Sequence, residues 1–246
     1  MTDFHDLELR DATFHDIDVR GGRFDHSYVE GVRLRGVEFV DVEIEGEVYN
    51  VRVNGVDIGP LIEAQLDSRD PERGLMRPHD AAGHRQAWEI VERRWDETVA
   101  RARALDPALL HESVEGEWSF VETLRHLCFA TDAWLGRAIL GDPAPWHPLD
   151  LPWDQMADTP GIPRDRDVRP SLDEVLELRR DRMGGVAAYL DQLTDDELGT
   201  ETTPVEAPGW PRARAYPVAE VLHTILNEEW MHRQYAERDL TLLGSR

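Results

Sequence analysis

The chain carries two hydrophobic patterns with different periods. In the first segment an apolar residue recurs at every fifth position, in the series Phe4, Leu9, Phe14, Val19, Phe24, Val29, Leu34, Phe39, Ile44 and Tyr49. An amphipathic helix repeats every 3.6 residues and a strand every two, so neither explains this spacing. Fixed self-similarity over a short period predicts a solenoid, whose turns bury their apolar sides against one another.

Short local signals mark the end of the repeat. The pair Asn54-Gly55 predicts a tight turn. The stretch 58–66 predicts a short helix, which we expect to cover one open end of the solenoid, and the charged, proline-containing stretch 67–78 predicts a connector. We therefore predict three parts: a repeat segment at 1–57, a capping helix and linker at 58–78, and a helical region at 79–246.

In the helical region the apolar positions repeat with the period of an α-helix. Four long helices are predicted, at about 81–105, 119–140, 171–193 and 219–242. The second and third begin with the capping-box pattern, Ser119 with Glu122 and Ser171 with Glu174. Four helices of this length predict a bundle. The long connection between the second and third helices, the 141–170 loop, carries Trp146 and Trp153 and is predicted to pack as a lid.

The last predicted helix contains a carboxylate and an imidazole on its apolar stripe. The stripe runs in steps of three and four through Val218, Val221, Ile225, Glu228, His232 and Tyr235. A carboxylate in such a position is costly to bury alone and is normally paired or bound to a metal. His126 in the second helix would add another imidazole. Two imidazoles and one carboxylate suit Zn²⁺ or a related ion and leave coordination positions open.

Both features also have ordinary explanations. Glu228 and His232 would serve equally as an exposed (i, i+4) pair, worth roughly a few tenths of a kcal/mol. A lone histidine on a partly apolar flank, such as His126, is commonly a core residue. His223 and Glu229 are near in sequence but are predicted to point away from the stripe. The apolar residues on either side of Glu228 favour the ligand interpretation.

Composition narrows the function classes. The formal net charge is −23, with 50 acidic against 27 basic side chains, which argues against direct binding to nucleic acid or to an anionic membrane. The same acidity disperses a protein in water, or could mimic the phosphate charge of DNA. The single cysteine, Cys128, excludes an internal disulfide framework and fits a reducing compartment. With no signal sequence or membrane-length apolar run, a cytoplasmic location is expected.

Two family resemblances follow from these residues. The period-five segment resembles the pentapeptide-repeat family, a right-handed β-helix with four pentads per coil, and its ten pentads would form two to three coils. The helical region resembles the DinB superfamily in Trp118–Leu127 and in Leu226–Gln234. Together they imply an α+β multidomain fold: a short N-terminal pentapeptide-repeat right-handed β-helix followed by a DinB-like four-helix bundle.

The DinB resemblance implies one divalent metal ion, zinc preferred and nickel the alternative, on His126, Glu228 and His232. The family's usual triad is three histidines, so Glu228 departs from the majority and is similar to the mycothiol-dependent maleylpyruvate isomerase branch. Relatives of known activity use low-molecular-weight thiols. The resemblance therefore implies a transferase or isomerase that activates such a thiol. A metal-dependent hydrolase, or a non-catalytic protein whose acidic repeat docks a partner or mimics DNA, is the alternative.

The same reasoning names partners and substrate contacts. A small electrophile is expected under Trp146 and Trp153, with Trp118 and Tyr235 as pocket wall and Arg233 as an anion anchor. No nucleic-acid or membrane partner is expected. The edges of a short solenoid need pairing or capping, so a homodimer is expected.

Overall fold

A computed structural model describes residues 7–24, 27, 29–44, 46 and 48–245. The chain divides into two compact units, Met1–Val48 and Tyr49–Arg246. Phe4, the first member of the predicted period-five series, lies outside the described residues.

The described residues of the first unit keep a period of five in their backbone but do not form the predicted β-helix. A positive φ recurs at Asp11, Asp16, Gly21, Gly31, Gly36 and Asp41. Among the described residues of this unit no strand forms, and the apolar series is exposed, with Phe14 at 56% and Phe39 at 59%. The expectation of buried solenoid turns is therefore wrong for these residues. A solenoid of only two to three coils would offer each apolar side chain few neighbours. The apolar area buried would then be too small to offset the conformational entropy lost when the chain is ordered.

The second unit opens with a small hairpin and two short helices. Strands β1 (Arg52–Val53) and β2 (Val56–Asp57) pair antiparallel, and Val53 lies opposite Val56. Asn54 and Gly55 both have positive φ, as a type I′ turn requires, so the predicted tight turn is confirmed. Helices α1 (Gly59–Arg69) and α2 (Pro71–Leu75) follow. Each has a proline in its first turn, Pro60 in α1 and Pro71 in α2, where the fixed φ of proline suits a helix.

A four-helix bundle makes up most of the second unit. Its long helices are α3 (Ala81–Ala102), α4 (Phe120–Thr131), α5 (Leu172–Gln192) and, after the short α6 (Asp195–Leu198), α7 (Val218–Gly244). Helices α3 and α4 each pack against both α5 and α7. The core between them includes Trp88, Val91, Leu124, Leu127, Val186 and Leu226. No helix formed by the described residues has the length and apolar character needed to cross a bilayer.

The second bundle helix differs from its prediction in one respect. Its start is as expected: the Ser119 backbone N–H donates to Glu122 Oε2 at 2.9 Å, and the Glu122 N–H donates to Ser119 Oγ at 3.3 Å. The regular α-helix ends at Thr131, however, and the chain continues as a π-helix over Asp132–Ile139. Wider turns of this kind often occur near functional sites.

Candidate metal centre

The three predicted ligand side chains meet between α4 and α7. One potential ligand atom from each of His126, Glu228 and His232 lies within 4.8 Å of the other two. Glu228 Oε2 is 3.4 Å from His126 Nε2 and 3.3 Å from His232 Nδ1. The (i, i+4) spacing places Glu228 and His232 on one face of α7, and packing of α4 against α7 brings His126 to that face.

Backbone carbonyls orient both imidazoles. His126 Nδ1 is 2.9 Å from the carbonyl oxygen of Leu151, and His232 Nδ1 is 2.9 Å from the carbonyl oxygen of Glu228. A carbonyl oxygen only accepts, so each Nδ1 carries the proton and donates. Each Nε2 is then left with a lone pair, the form in which imidazole binds a metal.

Glu228 supplies evidence that the cluster fits a cation. Its Oε2 is buried and has no hydrogen-bond partner among the described residues. With the proton of His126 on Nδ1, this oxygen faces the Nε2 lone pair of that ring, and two acceptors repel each other. A cation between them would remove the repulsion and satisfy the buried oxygen. Two imidazole nitrogens and one carboxylate oxygen are a donor set used by three-ligand zinc sites.

The protonation states also suit metal binding. Burial, reinforced by the neighbouring His126, lowers the pKa of His232 to about 4, so this ring is neutral at neutral pH. Burial acts to raise the pKa of Glu228, yet the net shift is downward, so this carboxyl group is ionised at neutral pH. A neutral histidine and an ionised carboxylate are the forms that coordinate a divalent ion.

Aromatic side chains surround the cluster. The Trp118 ring lies 4.5 Å from the His126 ring and 6.0 Å from the His232 ring, centroid to centroid, and Tyr235 meets His232 edge-on at 6.2 Å. Both residues predicted as pocket wall therefore contact the histidines.

The predicted lid packs one layer further out. Phe129 on α4 is 6.2 Å from His126, and it contacts Trp146 at 5.5 Å and Trp153 at 6.3 Å, centroid to centroid. The buried residues Phe129, Ala133, Met156 and Ile162 form this second apolar cluster, against which both tryptophans pack. The 141–170 loop thus lies against α4 beside the histidines.

Arg233 does not contribute to the centre, contrary to expectation. Its guanidinium donates to Thr98 Oγ1 at 3.3 Å and lies over the Trp230 ring at 5.7 Å. It is also 3.8 Å from Glu237. Neighbouring positions on a helix differ by about 100° in direction, so Arg233 turns towards α3 while His232 faces the cluster. A role as anion anchor at this site is not supported.

Sequence reasoning missed a buried ion pair directly behind the centre. Glu229 accepts two hydrogen bonds from Arg179 of α5, at 2.8 and 2.7 Å, and both side chains are almost fully buried. Glu229 does point away from the cluster, as predicted, but into the core. The clue available in sequence was an arginine at a position where the apolar period of α5 continues, Val175, Leu178 and Val186 being buried around it.

Comparison with known proteins agrees with this geometry. The family model of the DinB superfamily matches residues 90–236, more than half of the chain, and the match includes α4 and all three clustered side chains. Domains of this superfamily often bind a divalent metal, and the cluster could hold one. No curated protein and no solved structure gives a significant match. On the family match, the chain belongs to the DinB superfamily.

Proposed function

We propose that the bundle is a metal-dependent enzyme that binds one divalent cation, zinc by preference, on His126, Glu228 and His232. The observation that carries the proposal is the buried, unsatisfied Glu228 oxygen between two oriented imidazoles. Three protein ligands leave a coordination position open for a small molecule, as in catalytic rather than structural zinc sites.

The reaction we propose is activation of a low-molecular-weight thiol for transfer to, or isomerisation of, a small electrophile. A bound dication supplies one effect: it lowers the pKa of a thiol or of water, so that the anion is available at neutral pH. The ligands carry one negative charge, on Glu228, so the occupied site keeps a positive charge that favours an anionic nucleophile. Trp118 and the tryptophans of the 141–170 loop offer apolar surface for the electrophile and limit access of water.

Metal binding is tested on the full chain after removal of metal by chelation. We expect calorimetric titration with Zn²⁺ to give one equivalent per chain. His232→Ala and Glu228→Gln each remove a metal-binding atom. Loss of a residue that only hydrogen-bonds a metal ligand typically weakens binding about 10- to 100-fold, so we expect each of these substitutions to weaken the Zn²⁺ Kd at least as much.

The matched control is His223→Ala. His223 lies on the same helix but is exposed and outside the cluster, so its loss should leave the Kd unchanged. A wild-type chain that binds no Zn²⁺, or equal weakening by the His223 and His232 substitutions, would reject the proposed site.

The thiol is tested separately from the metal. The zinc-loaded protein is incubated with an electrophilic test substrate, with and without an added low-molecular-weight thiol. Turnover that requires the thiol supports the transferase or isomerase proposal. Turnover in water alone would favour the hydrolase, in which water occupies the open position.

The N-terminal part of the chain supports a second, non-catalytic proposal. We propose that residues 1–57 are a pentapeptide-repeat segment that docks one copy of the chain on another. Two observations support it: the left-handed residue that returns every five positions, and the exposed apolar series. The acidity of the chain favours neither nucleic-acid nor membrane partners for this segment.

A further inference from the structure

A buried arginine stands next to the first ligand in the chain. Arg125 is fully buried, and its guanidinium donates to three carbonyl oxygens of the 141–170 loop: Leu149 at 2.7 Å, Asp165 at 2.6 Å and Val168 at 3.3 Å. The five N–H donors of a guanidinium form a rigid fork that can span several acceptors at once. One side chain of α4 therefore ties together two distant parts of the loop.

The same loop delivers the hydrogen bond that orients His126. Leu151, two residues beyond the first carbonyl that Arg125 holds, accepts from His126 Nδ1 at 2.9 Å, and its own N–H donates to the Arg125 carbonyl at 3.4 Å. Leu151 is fully buried. Its carbonyl position thus depends on the loop, and the loop conformation depends on Arg125.

We propose that Arg125 is a positioning residue for the metal centre, acting through Leu151. By holding the 149–168 part of the loop, it keeps the Leu151 carbonyl against Nδ1 and so presents Nε2 of His126 to the cation. Because binding linkage is reciprocal, metal binding must in turn order this part of the loop. The inference rests on the proposed metal site and identifies Arg125 as a residue that controls the affinity of this site for the cation.

The simpler alternative is that Arg125 only stabilises the fold. The chain offers a matched comparison in Arg137, which is also buried and donates to Pro143, Val205 and Pro211 carbonyls at 3.0, 2.9 and 3.3 Å. Arg137 has the same chemistry on the continuation of α4, but none of the carbonyls it holds contacts a ligand histidine. A purely structural role predicts that the two arginines behave alike.

The experiment compares Arg125→Lys with Arg137→Lys in the full chain. A lysine ammonium is a compact point charge that cannot reproduce the fork, so both variants should lose stability. We expect only Arg125→Lys to weaken the Zn²⁺ Kd, by about 10- to 100-fold as for other outer-shell changes. It should also change the visible spectrum of the Co²⁺-substituted protein, which a loss of stability alone would not alter. Equal Kd values and identical Co²⁺ spectra in the two variants would overturn the inference.

A second measurement holds even if Arg125→Lys does not fold. Amide hydrogen exchange of the wild-type chain is compared with and without Zn²⁺. We expect zinc to slow exchange in residues 149–168 and not in residues 205–211, the segment that Arg137 holds. No change in 149–168 would reject the coupling. Wild-type protein that binds no Zn²⁺ rejects the metal site itself, so the two failures are distinguishable.

Discussion

Asp150 is the residue whose surroundings predict the clearest pH dependence. It is fully buried, and its Oδ1 has no hydrogen-bond partner among the described residues. The second carboxyl, Asp132, is also buried and lies beside it, and Arg182 is the cation that faces both. Burial, together with the charge of Asp132, raises the pKa of Asp150 to about 8. A proton on one of the two carboxyl groups, Asp132 or Asp150, removes the repulsion between two negatively charged acceptors.

The sign of the effect follows from proton counts. Unfolding returns the Asp150 pKa to about 3.8, so between pH 4 and 8 the folded chain holds a proton that the unfolded chain has lost. The contribution of Asp150 to the free energy of unfolding is therefore fully present below pH 4. It falls as the pH rises towards 8, by up to about 1.4 kcal/mol per pH unit.

We predict that Asp150→Asn removes this dependence, because the amide imitates the protonated acid. Urea unfolding at pH 6 and pH 8 should show the variant gaining about 2 kcal/mol relative to wild type over that interval. Parallel pH profiles would show that Asp150 is ionised in the fold.

Glu228 and Glu229 show what residue-level prediction achieves here. The three-and-four spacing on α7 assigned Glu228 to the cluster and turned Glu229 away, and the geometry agrees. Helix phase depends only on local spacing, so one sequence suffices to predict it. The partner of Glu229 could not be predicted, because Arg179 lies 50 positions away and only bundle packing joins them. The Leu151 carbonyl that orients His126 carries no side-chain signal at all.

At the scale of elements, the ends of helices were the most predictable features. Both Ser-x-x-Glu boxes begin a helix within one residue of the predicted position, and α7 extends the predicted range by one or two residues at each end. These signals are local hydrogen bonds between neighbours in the chain. The change from α- to π-helix at Asp132 was not predictable in this way. In the π-helix, Asp132 pairs with Arg182 of α5, and Arg137 donates hydrogen bonds to carbonyl oxygens of the 205–211 segment. These partners are distant in the sequence.

Two glycines in these elements should respond in opposite ways to alanine. A Cβ on Gly136, in the π-helix, would come within 2.9 Å of the Pro145 Cβ, whereas a Cβ on Gly184, inside α5, would meet no atom within 4 Å. We expect Gly136→Ala to lower the free energy of unfolding by about 1–3 kcal/mol through overpacking. Gly184→Ala should raise it by about 0.5–1 kcal/mol, because alanine loses less backbone entropy.

Chemical denaturation of the two variants beside wild type measures both effects. Since each substitution adds one methyl group to a helical position, the difference isolates the space around it. A gain in stability for Gly136→Ala would mean that the 141–170 loop does not approach the π-helix as closely as the structure shows.

At the scale of the whole molecule, prediction and structure differ most in the period-five unit. The sequence repeat predicted a regular unit of five residues, and the positive φ values of the described residues return with that period. Burial of the apolar series requires coils to stack, which is a collective property that a short stack supports weakly. The bundle differs because four long amphipathic helices enclose a shared core.

The exposed series leads to a prediction about assembly. Monomeric proteins rarely expose large contiguous apolar surfaces, and here every member of the period-five series from Leu9 to Ile44 is more than half exposed. Residues 1–60 also carry 14 acidic side chains against six arginines, so association between copies must overcome like-charge repulsion. Salt screens that repulsion. A dimer held by this unit should therefore strengthen as salt is added.

Deletion of residues 1–48 tests the division between the units. We expect light scattering to find the full chain dimeric and the 49–246 chain monomeric, because the deletion removes every member of the apolar series except Tyr49. Helicity by circular dichroism and the Zn²⁺ Kd should be unchanged, since every residue of the candidate centre lies in the second unit. A truncated chain that remains dimeric would place the interface on the bundle. A full-length dimer that weakens with salt would instead indicate attraction between charged groups.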